Sequence, residues 1–171
     1  MRAQLRLTPE NLPEYLRARG LAGPGEAVRS APAGDGNINW VRRVWLGDGS
    51  RTLVLKQARP ALERFPEYRV TTERIVFEAR YYETVRPIDR DGLCPRVIAF
   101  DEDERVLALE DLGDAPRLDG HLGGAPDPGV AAAAGQALGA FLGAVHAGTV
   151  GRSALPPRVA MYGVGRPLGL A

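Results

Sequence analysis

The spacing of apolar residues changes period along the chain. Leu12, Tyr15 and Leu16 recur at helical intervals, which predicts a helix over 8–20. Thr8-Pro9, or Asn11 followed by Pro13 and Glu14, opens it, and Gly20 closes it. The period then falls to two. Residues 27–33 read as a short strand, and Pro32 places it at a sheet edge. Gly34-Asp35-Gly36-Asn37 is a tight turn. Residues 39–46 form a second strand with Trp40, Arg42, Val44 and Leu46 on one face and Val41, Arg43 and Trp45 on the other. Gly47-Asp48-Gly49-Ser50 is a hairpin turn. In the third strand, 51–57, Leu53, Leu55 and Gln57 share one face, and Thr52, Val54 and Lys56 share the other.

A proline-flanked loop over 60–68 leads to a helix at about 71–85 with Thr71 or Thr72 as its cap. Ile75, Ala79 and Tyr82 repeat on one side with Glu78 beside them, and Pro87 ends the element. Residues 96–100 and 105–109 are two short strands joined by Asp101-Glu102-Asp103-Glu104, an acidic turn expected to be a solvated tip. A loop rich in Gly, Asp and Pro fills 111–128. Asp127-Pro128 then caps an Ala- and Gly-rich helix running to His146, with Leu138, Phe141, Leu142 and Val145 as its stripe and Gly148 as its end. Periodicity fails over 151–171, which has no acidic residue and reads as a poorly structured tail.

Composition narrows the classes. Hydrophobic residues are 44% and charged residues 25% of 171, a soluble globular mix that excludes collagen-like or wholly disordered chains. The net charge of +1 implies no nucleic-acid partner and no anionic membrane surface. Cys94, alone, excludes an internal disulfide, fits the cytoplasm, and reads as a packed small hydrophobe. The first residues lack the apolar run of a signal peptide, and no unbroken apolar run reaches the ~18 residues of a membrane span. One detail is sharper. Of 22 basic residues, Lys56 is the single lysine. A chain that otherwise uses Arg places a compact ammonium on a thin stem here, on an apolar strand where a charge needs a partner.

Four segments in order carry a resemblance: Gly34-Asp35-Gly36-Asn37-Ile38-Asn39, Leu53-Val54-Leu55-Lys56-Gln57-Ala58, Arg74-Ile75-Val76-Phe77-Glu78-Ala79, and Leu109-Glu110-Asp111-Leu112. Over roughly 8–150 the chain resembles the aminoglycoside phosphotransferase superfamily, and Gln57-Ala58-Arg59-Pro60 leans toward its methylthioribose-kinase-like branch. The resemblance implies an α+β fold: a protein-kinase-like small lobe, with a five-stranded antiparallel sheet plus a helix, followed by the first helix of an incomplete helical large lobe. Residues 1–112 would be the nucleotide-binding lobe, 113–150 the hinge and the start of the large lobe, and 151–171 the tail. ATP is the implied cofactor, with Mg2+ in full-length relatives, and the acceptor a small hydroxyl-bearing molecule. Gly34, Asp35, Gly36, Asn37 and Asn39 would approach the phosphates, Lys56 would reach them with Glu78 as its ion-pair partner, and the backbones of Glu110 and Leu112 would meet the adenine edge. Taken alone, the turn also reads as an ordinary hairpin, Lys56 as a solvent-facing lysine, and Glu110–Leu112 as a plain strand exit.

The family's catalytic loop, His-x-Asp followed by Asn and a later metal-binding Asp, has no counterpart. His121 precedes Leu-Gly, His146 precedes Ala-Gly, the last Asn is Asn39 and the last Asp is Asp127. His146 reads as a helix-end residue favoured by the dipole. The expectations are therefore an ATP-binding portion inactive by itself, from a truncated or frame-shifted reading frame, with self-association through the exposed helix 128–146. A non-catalytic nucleotide-binding or scaffold module, or a non-functional fragment, are the alternatives.

Overall fold

The computed structural model describes residues 4–34, 38–114, 120 and 127–151. The elements run α1 (Leu12–Ala18), β1 (Val28–Pro32), β2 (Asn39–Leu46), β3 (Arg51–Ala58), α2 (Arg74–Val85), β4 (Val97–Asp101), β5 (Val106–Glu110) and α3 (Pro128–Thr149). The five strands form one antiparallel sheet in the order β1-β2-β3-β5-β4. Pro32 lies on an edge strand, where its missing N–H costs no ladder bond. The architecture is that of a kinase-like small lobe with a helix after it.

Strand alternation separates two cores. Val44, Leu46, Leu53, Leu55, Val106 and Ala108 are buried with Leu12, Tyr15 and Leu16 of α1 on one face. Leu107, Leu109 and Ala58 are buried with Ile75 and Ala79 of α2 on the other. α1 starts where the Thr8 amide donates to Asn11 Oδ1 at 2.8 Å, and it stops at Gly20, whose φ of +69° suits a residue without Cβ.

The N-terminal segment is fastened to the first face by a side chain that sequence reading assigned to a family branch. Gln57 is fully buried. Its Oε1 accepts from the Leu7 amide at 3.0 Å, and its Nε2 donates to the carbonyls of Leu5 at 2.6 Å and Glu104 at 3.2 Å. Arg59 is buried too, donating to the Leu7 carbonyl and to Glu63, with its guanidinium 5.0 Å from the Trp40 ring centroid. Both residues therefore act in packing the fold.

Three local expectations need correction. The acidic turn is not simply a solvated tip. Glu104 is buried and accepts from the Leu5 amide at 2.5 Å, while Asp101 accepts from Tyr15 Oη at 2.8 Å and pairs with Arg19 at 2.7 Å. Burial, reinforced by Asp101, pushes the Tyr15 phenol above its ordinary pKa. Neither Thr71 nor Thr72 caps α2; the cap position is Glu73 without a side-chain bond, and the Thr71 carbonyl is taken by Arg74. α3 runs past Gly148 to Thr149, capped as expected by Asp127, whose Oδ1 accepts from Gly129 at 2.7 Å.

The stripe expected on α3 divides. Phe141, Val145 and Gly148 are partly covered, and a Cβ at Gly148 would come within 2.8 Å of Ile88 beyond α2. Leu138 and Leu142, at 47% and 50% exposure, face outward, and no residue of α3 is buried. By its length (22 residues) and the mean hydropathy of an 18-residue window within it (1.4), this helix is apolar enough to cross a membrane, although no unbroken apolar run signals it. Ala and Gly supply much of that hydropathy while offering little side-chain surface.

Gln57→Leu should destabilise the chain by about 2–4 kcal/mol, because it strands the buried Leu7 amide and the Leu5 carbonyl, while the Glu104 carbonyl keeps its bond from Gln4. Urea denaturation checks this, and a loss below about 0.5 kcal/mol would contradict the stapling role.

Candidate functional site

Lys56 is on the α2 face of the sheet, opposite Val41 of β2 and Leu107 of β5. Period two puts Asn39, Arg43, Thr52, Val54, Leu109 and Asp111 on the same face. α2 lies over this face with Ile75 and Ala79 buried beneath it. That rotation directs Glu78, three residues beyond Ile75, along the sheet toward β3. The Lys56 ammonium donates to Glu78 Oε1 at 2.6 Å, across a separation of 22 residues. Each side chain keeps 25% of its surface exposed, so the pair is sheltered yet reachable. Tyr82, one turn further on, donates weakly to the same oxygen at 3.5 Å, and burial followed by the Glu78 charge pushes its phenol up to about 12.

The other expected residues fall in three groups. Gly34 is described, with a φ of +78°, a backbone conformation that favours glycine. Asp35, Gly36 and Asn37 lie outside the described residues. Asn39 follows directly on the turn's exit, and its Oδ1 accepts from Arg74 Nε at 2.9 Å. Glu110 sends its carboxylate to Arg96, at 3.1 and 2.9 Å, which leaves only its backbone for a ligand. Leu112 is 58% exposed just past the end of β5.

Two arginines were not singled out by sequence reading. Arg43 donates to Asp111 at the strand exit and to Asp114 beyond it, tying the start of the connecting loop to β2. Burial opposes ionisation of Asp111, but hydrogen bonds from Arg43, the Gly113 amide and Thr52 outweigh it and hold the carboxyl below its ordinary pKa. The available signal was position: Arg43 shares the Lys56 face by strand parity. Arg74, the first residue of α2, bonds the Ile38, Arg59 and Thr71 carbonyls besides Asn39. Burial lowers its pKa, with Glu78 acting against that shift. Arg74 heads one of the four segments that carry the resemblance, but nothing in that segment gave it a role.

Of the residues set aside, Cys94 is half-buried and donates its amide to Asp89 Oδ2 at 2.7 Å, and burial pushes its thiol up. His146 sits in the last turn of α3 as expected. His121 lies outside the described residues.

The arrangement is therefore a sheet face with one paired ammonium, the start of β2 fastened to α2, and a braced exit from β5. No curated protein matches the chain. The model of the phosphotransferase enzyme family, APH, matches residues 31–162, which takes in the bend, Lys56, Glu78, the β5 exit and all of α3. With well over half its length matched, in a fold whose Lys56–Glu78 pair stands where the resemblance required it, the chain belongs to the phosphotransferase enzyme family.

Proposed function

We propose that this chain supplies the ATP-binding part of an O-phosphotransferase acting on a small hydroxyl-bearing molecule in the cytoplasm. The observation that carries this reading is the Lys56–Glu78 contact at 2.6 Å on the α2 face. A partly exposed ion pair contributes only about 0–1 kcal/mol to stability, so stability is a weak reason to place the one lysine there. An ammonium held by a carboxylate, yet still open to solvent, suits a triphosphate. It can donate to phosphate oxygens while Glu78 keeps its stem aimed. The bend at 34–39 would bring backbone amides to the same phosphates, and the backbones of Glu110 and Leu112 would meet the base.

Among the described residues, no group of three or more His, Cys, Asp or Glu side chains could hold a metal ion. A second reading is a non-catalytic nucleotide-binding or scaffold module that works by association with another chain. The outward face of α3, carrying Leu138 and Leu142, supports self-association on the same footing.

Lys56→Ala should weaken MgATP binding by about ten- to a hundredfold, the worth of a charge-assisted hydrogen bond, while moving Tm by only a few degrees. Calorimetric titration checks this, and unchanged affinity would contradict the reading. On sedimentation, the wild-type chain should exceed monomer mass as concentration rises, and a Leu138→Ser, Leu142→Ser variant should return to monomer. A wild type that stays monomeric would exclude this role for α3.

A further inference from the structure

Resting on the nucleotide-binding reading above, we propose that Arg74 is a positioning residue that locks the exit of the glycine bend to the Lys56–Glu78 pair. Bend, strand end and helix would then answer to nucleotide as one unit. The geometry is that of a three-way knot. Asn39 pairs with Ala58 on the last rung of the β2–β3 ladder. Ile38 and Arg59 are the residues just outside that rung, and Arg74 Nη2 donates to both of their carbonyls, at 2.5 and 3.1 Å. Nε takes the Asn39 side chain at 2.9 Å, and Nη1 takes the Thr71 carbonyl in the turn before α2. One planar fork therefore caps the open end of the hairpin and fastens it to the first turn of the helix. Glu78 lies four residues on, one turn along the same helix.

The chemistry of the fork explains the choice of residue. Satisfying acceptors from three separate segments needs several donors in fixed directions, which a guanidinium has and an ammonium lacks. The four hydrogen bonds of Arg74 to described residues all end on neutral oxygens, so the group orders backbone rather than simply cancelling a carboxylate. A displacement of Ile38 and Asn39 on nucleotide binding is then passed to the fork, and with it to the start of the helix that holds Glu78.

Hydrogen exchange on the ligand-free full chain tests this without any nucleotide. In Arg74→Met, amides of 38–41 and of 75–79 should exchange about tenfold or more faster together, while those of 15–19 on the far face keep wild-type rates. Arg74→Lys should behave like Arg74→Met, because charge alone does not make the knot. With MgATP present, wild-type protection should rise in both segments together, and Arg74→Met should bind more weakly. Exchange at 38–41 that stays at the wild-type rate in Arg74→Met would overturn the proposal. So would rescue by Arg74→Lys. If circular dichroism shows Arg74→Met unfolded, Asn39→Ala removes one acceptor only. It should speed exchange in the same two segments by a smaller factor, and an unaffected 75–79 segment would overturn the proposal. A wild type that binds no MgATP contradicts the nucleotide reading itself, and the ligand-free rates still decide the role of Arg74.

Discussion

A charge on a strand flanked by leucine and valine stays charged at low cost only if a counter-charge reaches it. Lys56 sits between Val41 and Leu107 on the ladder, and the acid that meets its ammonium, Glu78, is delivered from outside the sheet. That requirement constrains the rest of this face. α2 must lie over the sheet at a rotation that buries Ile75 and Ala79 and turns Glu78 toward β3. The start of α2 must be fixed as well, since a slip of one residue would rotate Glu78 by about 100° about the helix axis. Arg74 supplies that fixed point.

The two sides of the sheet do different work because strand parity separates them. Gln57, next to Lys56 in sequence, faces the other way and is wholly enclosed, fastening residues 5–7 and the Glu104 carbonyl. A closed, hydrogen-bonded back face lets the front face keep polar and half-exposed groups. Arg43 with Asp111, Arg74 with Asn39, and Lys56 with Glu78 all lie on that front side. Rigidity on one side thus supports a reachable set of charges on the other.

Much of this was legible from the chain. Period-two alternation and the Asp-Gly turn located β2 and β3 to within a residue, because turn chemistry and burial agree there. The Lys56–Glu78 pair was legible through the resemblance, which implied an acid on the helix after the lysine strand, and the solitary lysine on an apolar strand marked its position. What could not be read depended on contacts distant in sequence. The start of α2 is set by Arg74 reaching Ile38 and Arg59, not by a threonine cap. Glu104 is buried because the N-terminal segment crosses it, which no local pattern in an acidic turn announces. The α3 stripe divides because Ile88 covers only the side bearing Gly148.

Because Lys56 is the only lysine, a chain labelled with nitrogen-15 at the lysine side chain gives one ammonium resonance, and titrating MgATP while following it is the most direct measurement. The account predicts that this single signal shifts and saturates with the binding isotherm, as the ammonium gains phosphate oxygens. A signal unmoved at nucleotide concentrations that saturate the chain, or a chain that never saturates, would contradict it.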